Sequence, residues 1–356
     1  MSKQNLLFVF ILIPFIGFNQ TLKENLVKAY SSKDSSDYYF KIAKKLIKSE
    51  GDEGEYLFCK GARQTDFGIA DSAIYYSKLA IEKISRTDNI NSLLTIYNNL
   101  SKVYNKRGEY DKAIEATLKG LKIAENANND IWTAFFNISL AINYHDFENF
   151  SKGVYYGKKA LKFHLSSKEP NPTSIYSSLN AIAINFDDWN QPDSALFYHR
   201  KVFDYVKGDD TLVISTYNNI GNTLHKMNKT KEAQKWLERA LRISEANKDA
   251  NYGLSYDYEQ ATQYTNLATI AFELNDFKKA ERLFDSAYVR ATKSKNAEKM
   301  RDYYYAQFQY NKKRKNLEKT IEFQEDYIVL RDSVFNEKRA QSITEVEAKY
   351  QNEKKE

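Results

Sequence analysis

Between Tyr97 and Leu121 the apolar residues Leu100, Tyr104, Tyr110, Ala113, Leu118 and Leu121 recur at helical spacing, with polar residues between them. The rhythm breaks once, at Arg107-Gly108-Glu109, which reads as a turn. The segment therefore predicts two helices joined in a hairpin. The same pattern returns along the chain. Tyr97-Asn98-Asn99-Leu100 is matched by Tyr217-Asn218-Asn219-Ile220, each followed by a small residue, Ser101 or Gly221. Ala113 and Ala233 then stand at equal distances, as do Gly120-Leu121 and Ala240-Leu241. A small residue in the second helix serves as an anchor for the frame, which reads 43, 80, 120, 160, 202, 240, 287 and 327. Self-similarity at such a period marks a solenoid, in which each unit buries its apolar face only against its neighbours. No strand-period segment of any length appears.

A small residue after a Leu, then a Tyr, then Ala, a large apolar residue and Ala resembles the tetratricopeptide repeat, over roughly residues 37–330. The resemblance implies an all-α, right-handed α-α superhelical solenoid of about six to seven helix pairs, here followed by a long C-terminal helix. The period is nearer 40 than 34, which adds about one and a half helical turns to each hairpin. The step of 47 from Ala240 to Ala287 predicts a longer helix pair around Ser244–Gln263. Turn positions carry Gly68 and Gly108, then Glu148, Asn190, Asn228 and Asn275; Asn is the residue that best replaces Gly in a left-handed turn. Twelve Gly and four Pro in 356 residues leave few helix breakers, so composition agrees with stacked helices.

Both ends read differently. Lys3 precedes an apolar run from Leu6 to Phe18 that ends at Asn19-Gln20, the pattern of a secretory signal peptide over residues 1–20. The run is too short to span a bilayer comfortably. An uncleaved apolar helix packed on the first repeat is the alternative. The solenoid is assigned to residues 21–336. From 337 to 356 dense charge surrounds Ile343, Val346 and Tyr350, which predicts an exposed helical or coiled-coil connector. Export signal, long repeats and a charged helix around Ala348-Lys349-Tyr350-Gln351 together resemble the sensory half of Bacteroidota envelope regulators, without their kinase or DNA-binding output. That resemblance implies an exported, periplasmic or envelope-associated protein.

Candidate chemistry is sparse. His145, His164, His199 and His225 lack metal-ligand spacing, the single Cys59 has no partner for a disulfide, and no phosphate loop or nucleophile elbow is present. The reading is of no enzyme, no cofactor and no metal. A net charge of +6 spread over the chain is not a nucleic-acid footprint.

Binding is what the resemblance implies, because in tetratricopeptide arrays the first helix of each pair lines a concave groove. Placed on this frame, the groove residues are Asn98, Asn99, Lys102 and Asn105, then Ile138, Ile142 and His145, then Asn180. They continue with Asn218, Asn219, Asn222 and His225, and end at Asn266. A carboxamide both donates and accepts, so spaced Asn residues suit the backbone of an extended peptide. Bridging between neighbouring helices suits them equally. The expected function is a non-catalytic scaffold for a protein or peptide segment, exported and with a sensory or adaptor role. A cytoplasmic regulator that sequesters a response regulator or signalling peptide is the alternative. Membrane association through the N-terminus or a further C-terminal segment, and dimerisation through the C-terminal helix, are compatible with the pattern.

Overall fold

The structure is a computed structural model that describes residues 20–32, 34–67, 69–206, 213–247, 254–334 and 337–353. The signal-like run and Gly68 lie outside these. Among the described residues there are seventeen helices and no strand. They alternate as the first and second helices of eight repeats. In chain order these are α1 (Gln20–Ser31) with α2 (Ser36–Lys45), α3 (Glu50–Asp66) with α4 (Ala70–Ile84), and α5 (Ile90–Lys106) with α6 (Tyr110–Asn126). Then come α7 (Asp130–Asp146) with α8 (Phe150–Ser166), α9 (Pro172–Asp188) with α10 (Pro192–Tyr205), and α11 (Ile214–Lys226) with α12 (Thr230–Ala246). The last are α13 (Leu254–Glu273) with α14 (Phe277–Ser294) and α15 (Ala297–Lys313) with α16 (Leu317–Val334), followed by α17 (Glu337–Glu353). Each of the eight anchors falls in a second helix. The pair count exceeds six or seven because the first and last units, whose register is weak in sequence, also fold as hairpins.

The helix ends follow from local chemistry. Asn89, Asn129, Asn149, Asn171, Asn296 and Asp276 each accept a backbone N–H of the following turn, as good N-caps do. At the hairpin turns Gly108, Glu148, Asn190, Asn228 and Asn275 all have φ between 58° and 71°. At the Asn190 turn the next amide reaches back over a full turn, Gln191 N to Phe186 O at 2.9 Å, and Lys229 to Leu224 repeats it. This is the Schellman closure of a helix. Glu148 pays about 1 kcal/mol for adopting the left-handed region without being Gly or Asn.

Small residues set the packing distance. Ala43, Ala73, Ala80, Ala113, Ala160, Ala233, Ala240 and Ala287 are fully buried. At Gly120 an added Cβ would stand 2.2 Å from the Phe136 ring, so the tip of that ring from α7 occupies the space a side chain at position 120 would need.

By its contacts the chain divides into two units. Residues 20–147 and 338–353 belong to an N-terminal unit, and 148–337 to a C-terminal unit. Within the first, α1 touches α3, α3 touches α5 and α5 touches α7; within the second, α9 touches α11, α11 touches α13 and α13 touches α15. No two second helices make such a contact among the described residues. First helices thus crowd together while second helices splay, which puts the first helices on the inner side of each unit.

The C-terminal helix departs from the expected exposed connector. From Lys338 on, α17 belongs to the N-terminal unit, with Ile343 and Tyr350 buried. Tyr350 donates to Glu125 Oε2 at 3.0 Å, and Tyr144 donates to Glu347.

Candidate functional site: the inner face of the first helices

In the N-terminal unit the inner polar side chains bond to one another. Asn143 on α7 donates to Ser101 Oγ at 3.1 Å and Thr117 Oγ1 at 2.9 Å. Thr117 gives its own proton to Ala113 O at 2.7 Å, so Ser101, 2.6 Å away, is the donor between the two hydroxyls. Asn105 on α5 then donates to Asn143 Oδ1 at 3.1 Å and to Asp146 at 2.7 Å. Three helices are stitched by one connected network. Asn99 donates to Thr65 on α3 at 3.3 Å. Asn98 is buried, and Lys102 is partly buried with its ammonium 5.8 Å from the Phe135 ring centre. Burial pulls the Lys102 amine down to about 8, helped by the neighbouring charge of Lys106. Ile138 is partly buried, Ile142 is exposed, and His145 Nδ1 lies 2.8 Å from Asp146.

In the C-terminal unit the same frame position bridges successive first helices. Asn219 on α11 donates to Asn180 Oδ1 on α9 at 3.2 Å, and Asn266 on α13 donates to Asn218 Oδ1 at 3.1 Å. Asn222 is partly buried. Asn99, Asn105, Asn180, Asn218, Asn219 and Asn266 are thus engaged one repeat away, whereas Asn98 keeps a buried carbonyl oxygen without a partner among the described residues.

Further along, the wall opens. A cleft of about 580 Å³ is lined by His225, Thr269, Phe272, Glu273, Tyr305, Ala306, Gln309, Lys312 and Lys313, from α11, α13 and α15. His225 Nε2 sits 2.6 Å from Glu273 Oε2 and fixes one end. Lys313 donates to the carbonyls of Phe272 and Glu273 at 3.0 and 3.1 Å, the placement a cation favours at a helix C-terminus. Tyr305 is 47% exposed, its ring 5.1 Å from that of Tyr327, and Lys312 lies over Phe308. The site therefore offers ring surface, an amide and a hydroxyl, and cationic charge within one concavity.

Of the residues that the frame turns inward, His225 lies in this cleft together with Thr269 and Phe272 of the seventh unit's first helix. Tyr305, Gln309 and Lys312 were missed because their unit has no clean register; the run Tyr303-Tyr304-Tyr305 beside Lys312-Lys313-Arg314-Lys315 was the available signal. Cys59 is held away from chemistry. Its thiol points at Leu26 O, 3.4 Å away, and burial pushes it up to about 12.

Residues 94–126 and 213–246 each match the tetratricopeptide repeat family. No curated protein matches the chain. Among solved structures, the chain is similar to a Rap protein complexed with Competence and Sporulation Factor, at 12% identity and a TM-score of 0.64 over 96% of this chain and 92% of that one. The Rap conjugation gene regulator of plasmid pLS20 in complex with the Phr* peptide gives 13% identity and 0.63 over 96% of both chains. NprR in complex with its cognate peptide NprX gives 11% and 0.55 over 82% of this chain and 85% of that one. At these identities the likeness establishes the fold: an α-α solenoid containing tetratricopeptide repeats.

Proposed function

We propose that this chain is a non-catalytic scaffold that binds an extended protein or peptide segment at the cleft of α11, α13 and α15. The observation that carries the reading is the cleft itself. Three successive first helices contribute to it, and it joins the rings of Phe272 and Tyr305 to the hydrogen-bonding groups of Thr269 and Gln309 and the charge of Lys312. An aromatic anchor beside a few oriented polar groups is how peptide segments are held. The peptide complexes of the Rap regulator and NprR, similar over most of the chain, support the same use of the fold. The apolar run from Leu6 to Phe18 supports export and an envelope role, with α17 as the element that relays occupancy. The second reading, a cytoplasmic regulator that sequesters a response regulator or signalling peptide, is favoured by the regulator among the similar structures. N-terminal sequencing of the protein from its cell separates the two: loss of residues 1–20 supports export.

Selection of a random peptide library displayed on phage against the full-length chain tests the cleft. Selected peptides are expected to bind the wild type and to weaken about tenfold or more against Tyr305→Ala and Lys312→Glu, the effect of losing an anchor. Both side chains are exposed, so the fold tolerates both changes. Undiminished binding to both variants would reject the site.

A further inference from the structure

Four of the eight second helices repeat one short pattern at one place in the frame. Five residues before the anchor stands an aromatic, then a Tyr, with a Lys or Arg three positions after the first ring. The sets are Tyr38-Tyr39 with Lys41, Tyr75-Tyr76 with Lys78, Tyr155-Tyr156 with Lys158, and Phe197-Tyr198 with Arg200. The second ring of each doublet is at least partly buried, whereas the first stays outside: Tyr38 is 63% exposed, Tyr75 59%, Tyr155 57% and Phe197 59%. Each outer ring meets its neighbour edge-on, at centroid distances of 5.1–5.4 Å. A single exposed aromatic is ordinary on a protein surface. Recurrence in frame is not, because nothing in the packing of the hairpins requires the outer ring.

The pattern occurs twice in each unit, and in the C-terminal unit it coincides with the strongest basic charge. Helices α8 and α10 both pack on α9, and they carry Tyr155 and Phe197 at equivalent positions. Helix α8 contains Lys152, Lys158, Lys159 and Lys162 and no acidic residue. Lys158, Lys159, Lys162 and Arg200 are exposed on the same two helices, with Lys158 5.4 Å from the Phe186 ring centre on α9. Lys159 stands 5.7 Å from the Tyr155 ring centre, and Lys201 5.6 Å from that of Phe197.

We propose that the outer face of α8 and α10 docks on an anionic lipid bilayer. Rings with an apolar body settle at headgroup depth, and lysines lay their alkyl stems along them while the ammonium groups reach lipid phosphates. Negative surface charge attracts such clusters. No helix among the described residues is long and apolar enough to cross a membrane. Single-stranded nucleic acid fits less well. Base stacking needs open ring faces, and here a lysine lies over Tyr155 and over Phe197. This face belongs to second helices, so it stands apart from the peptide cleft.

The test is flotation of the full-length chain with vesicles of phosphatidylcholine alone or mixed with phosphatidylglycerol. The wild type is expected to float only with the mixed vesicles and to be released by high salt. Combined Lys158→Glu, Lys159→Glu and Lys162→Glu is expected to weaken binding by about two orders of magnitude. Tyr155→Ser with Phe197→Ser is expected to weaken it severalfold. Lys312→Glu in the cleft leaves flotation intact, and the α8 variant keeps whatever peptide binding the wild type has. All substituted side chains are exposed, and far-UV circular dichroism confirms folding. Equal flotation with neutral vesicles, or flotation unchanged by the triple charge reversal, would overturn the proposal. So would a chain that binds single-stranded oligonucleotide through these lysines and no vesicle.

Discussion

Asn105, Asn143 and Asp146 in the N-terminal unit and Thr269, Tyr305 and Gln309 in the C-terminal unit all stand on first helices. The first group closes on itself through bonds of 2.7–3.1 Å, whereas the second borders a cleft of about 580 Å³. Side-chain length and helix spacing account for the difference. Where a short polar residue finds another one repeat away, the inner face zips shut and its hydrogen-bonding groups serve the fold. Around α13 the repeat lengthens to 47 residues, the inner positions carry rings and long side chains, and the wall remains open. Polar residues on an inner face are therefore poor evidence of a ligand until their partners are known.

The contrast can be broken hardest at Asn143. Asn143→Ala removes the shared donor to the buried Ser101 and Thr117 and one of the two acceptors of Asn105. A loss of about 3 kcal/mol is expected in chemical unfolding, with peptide binding at the cleft unchanged. A loss below about 0.5 kcal/mol would mean that the network contributes little beyond its solvent equivalents.

Acid sharpens the comparison from the other side. His199 on α10 is fully buried and neither ring nitrogen makes a hydrogen bond among the described residues, in contrast to the satisfied network around Asn143. Burial, with some help from the charge of Lys226, drives its imidazole down to about 3. Between pH 6.5 and 3 the unfolded chain therefore binds the proton that the folded chain refuses. Stability from this group is complete above about pH 6.5 and falls by about 1 kcal/mol per pH unit below it. His199→Leu is expected to flatten that acid limb, measured as unfolding midpoints from pH 7 to pH 4. An unchanged slope would show that His199 is not the titrating group.

The smallest expected effect per residue lies in the carboxamide ladder. Asn99, Asn219 and Asn266 replaced together by Ala lose one interhelical bond each, about 1 kcal/mol apiece and about 2–3 kcal/mol together. Helical content is expected to stay near wild type. If peptide affinity also falls, the ladder contributes its spare bonding capacity to a ligand; if it does not, those residues serve the solenoid alone.

The repeat made the fold legible before any coordinates. Ala113, Ala160, Ala233 and Ala240 mark helix contacts because only a small residue fits there, and the Asn turns mark left-handed backbone. The site was legible only in part. Helical phase places Asn219 or Asn266 on the inner side, yet phase does not reveal that Asn180 or Asn218 waits one repeat away. Periodicity placed His225, Thr269 and Phe272 on the inner face, but Tyr305 and Lys312 sit in a unit without a clear frame, so their side of the cleft was invisible to it. The docking of α17 was hidden for another reason: it depends on Glu125 and Tyr144, more than two hundred positions earlier in the chain.

Photocrosslinking tests the cleft most directly. A benzoylphenylalanine placed at Gln309 in the cleft, or at Asn105 in the closed network, is offered a peptide selected by the wild-type chain. The account predicts crosslinks from position 309 and none from position 105. Crosslinks from 105 alone, or equal yields from both, would contradict it.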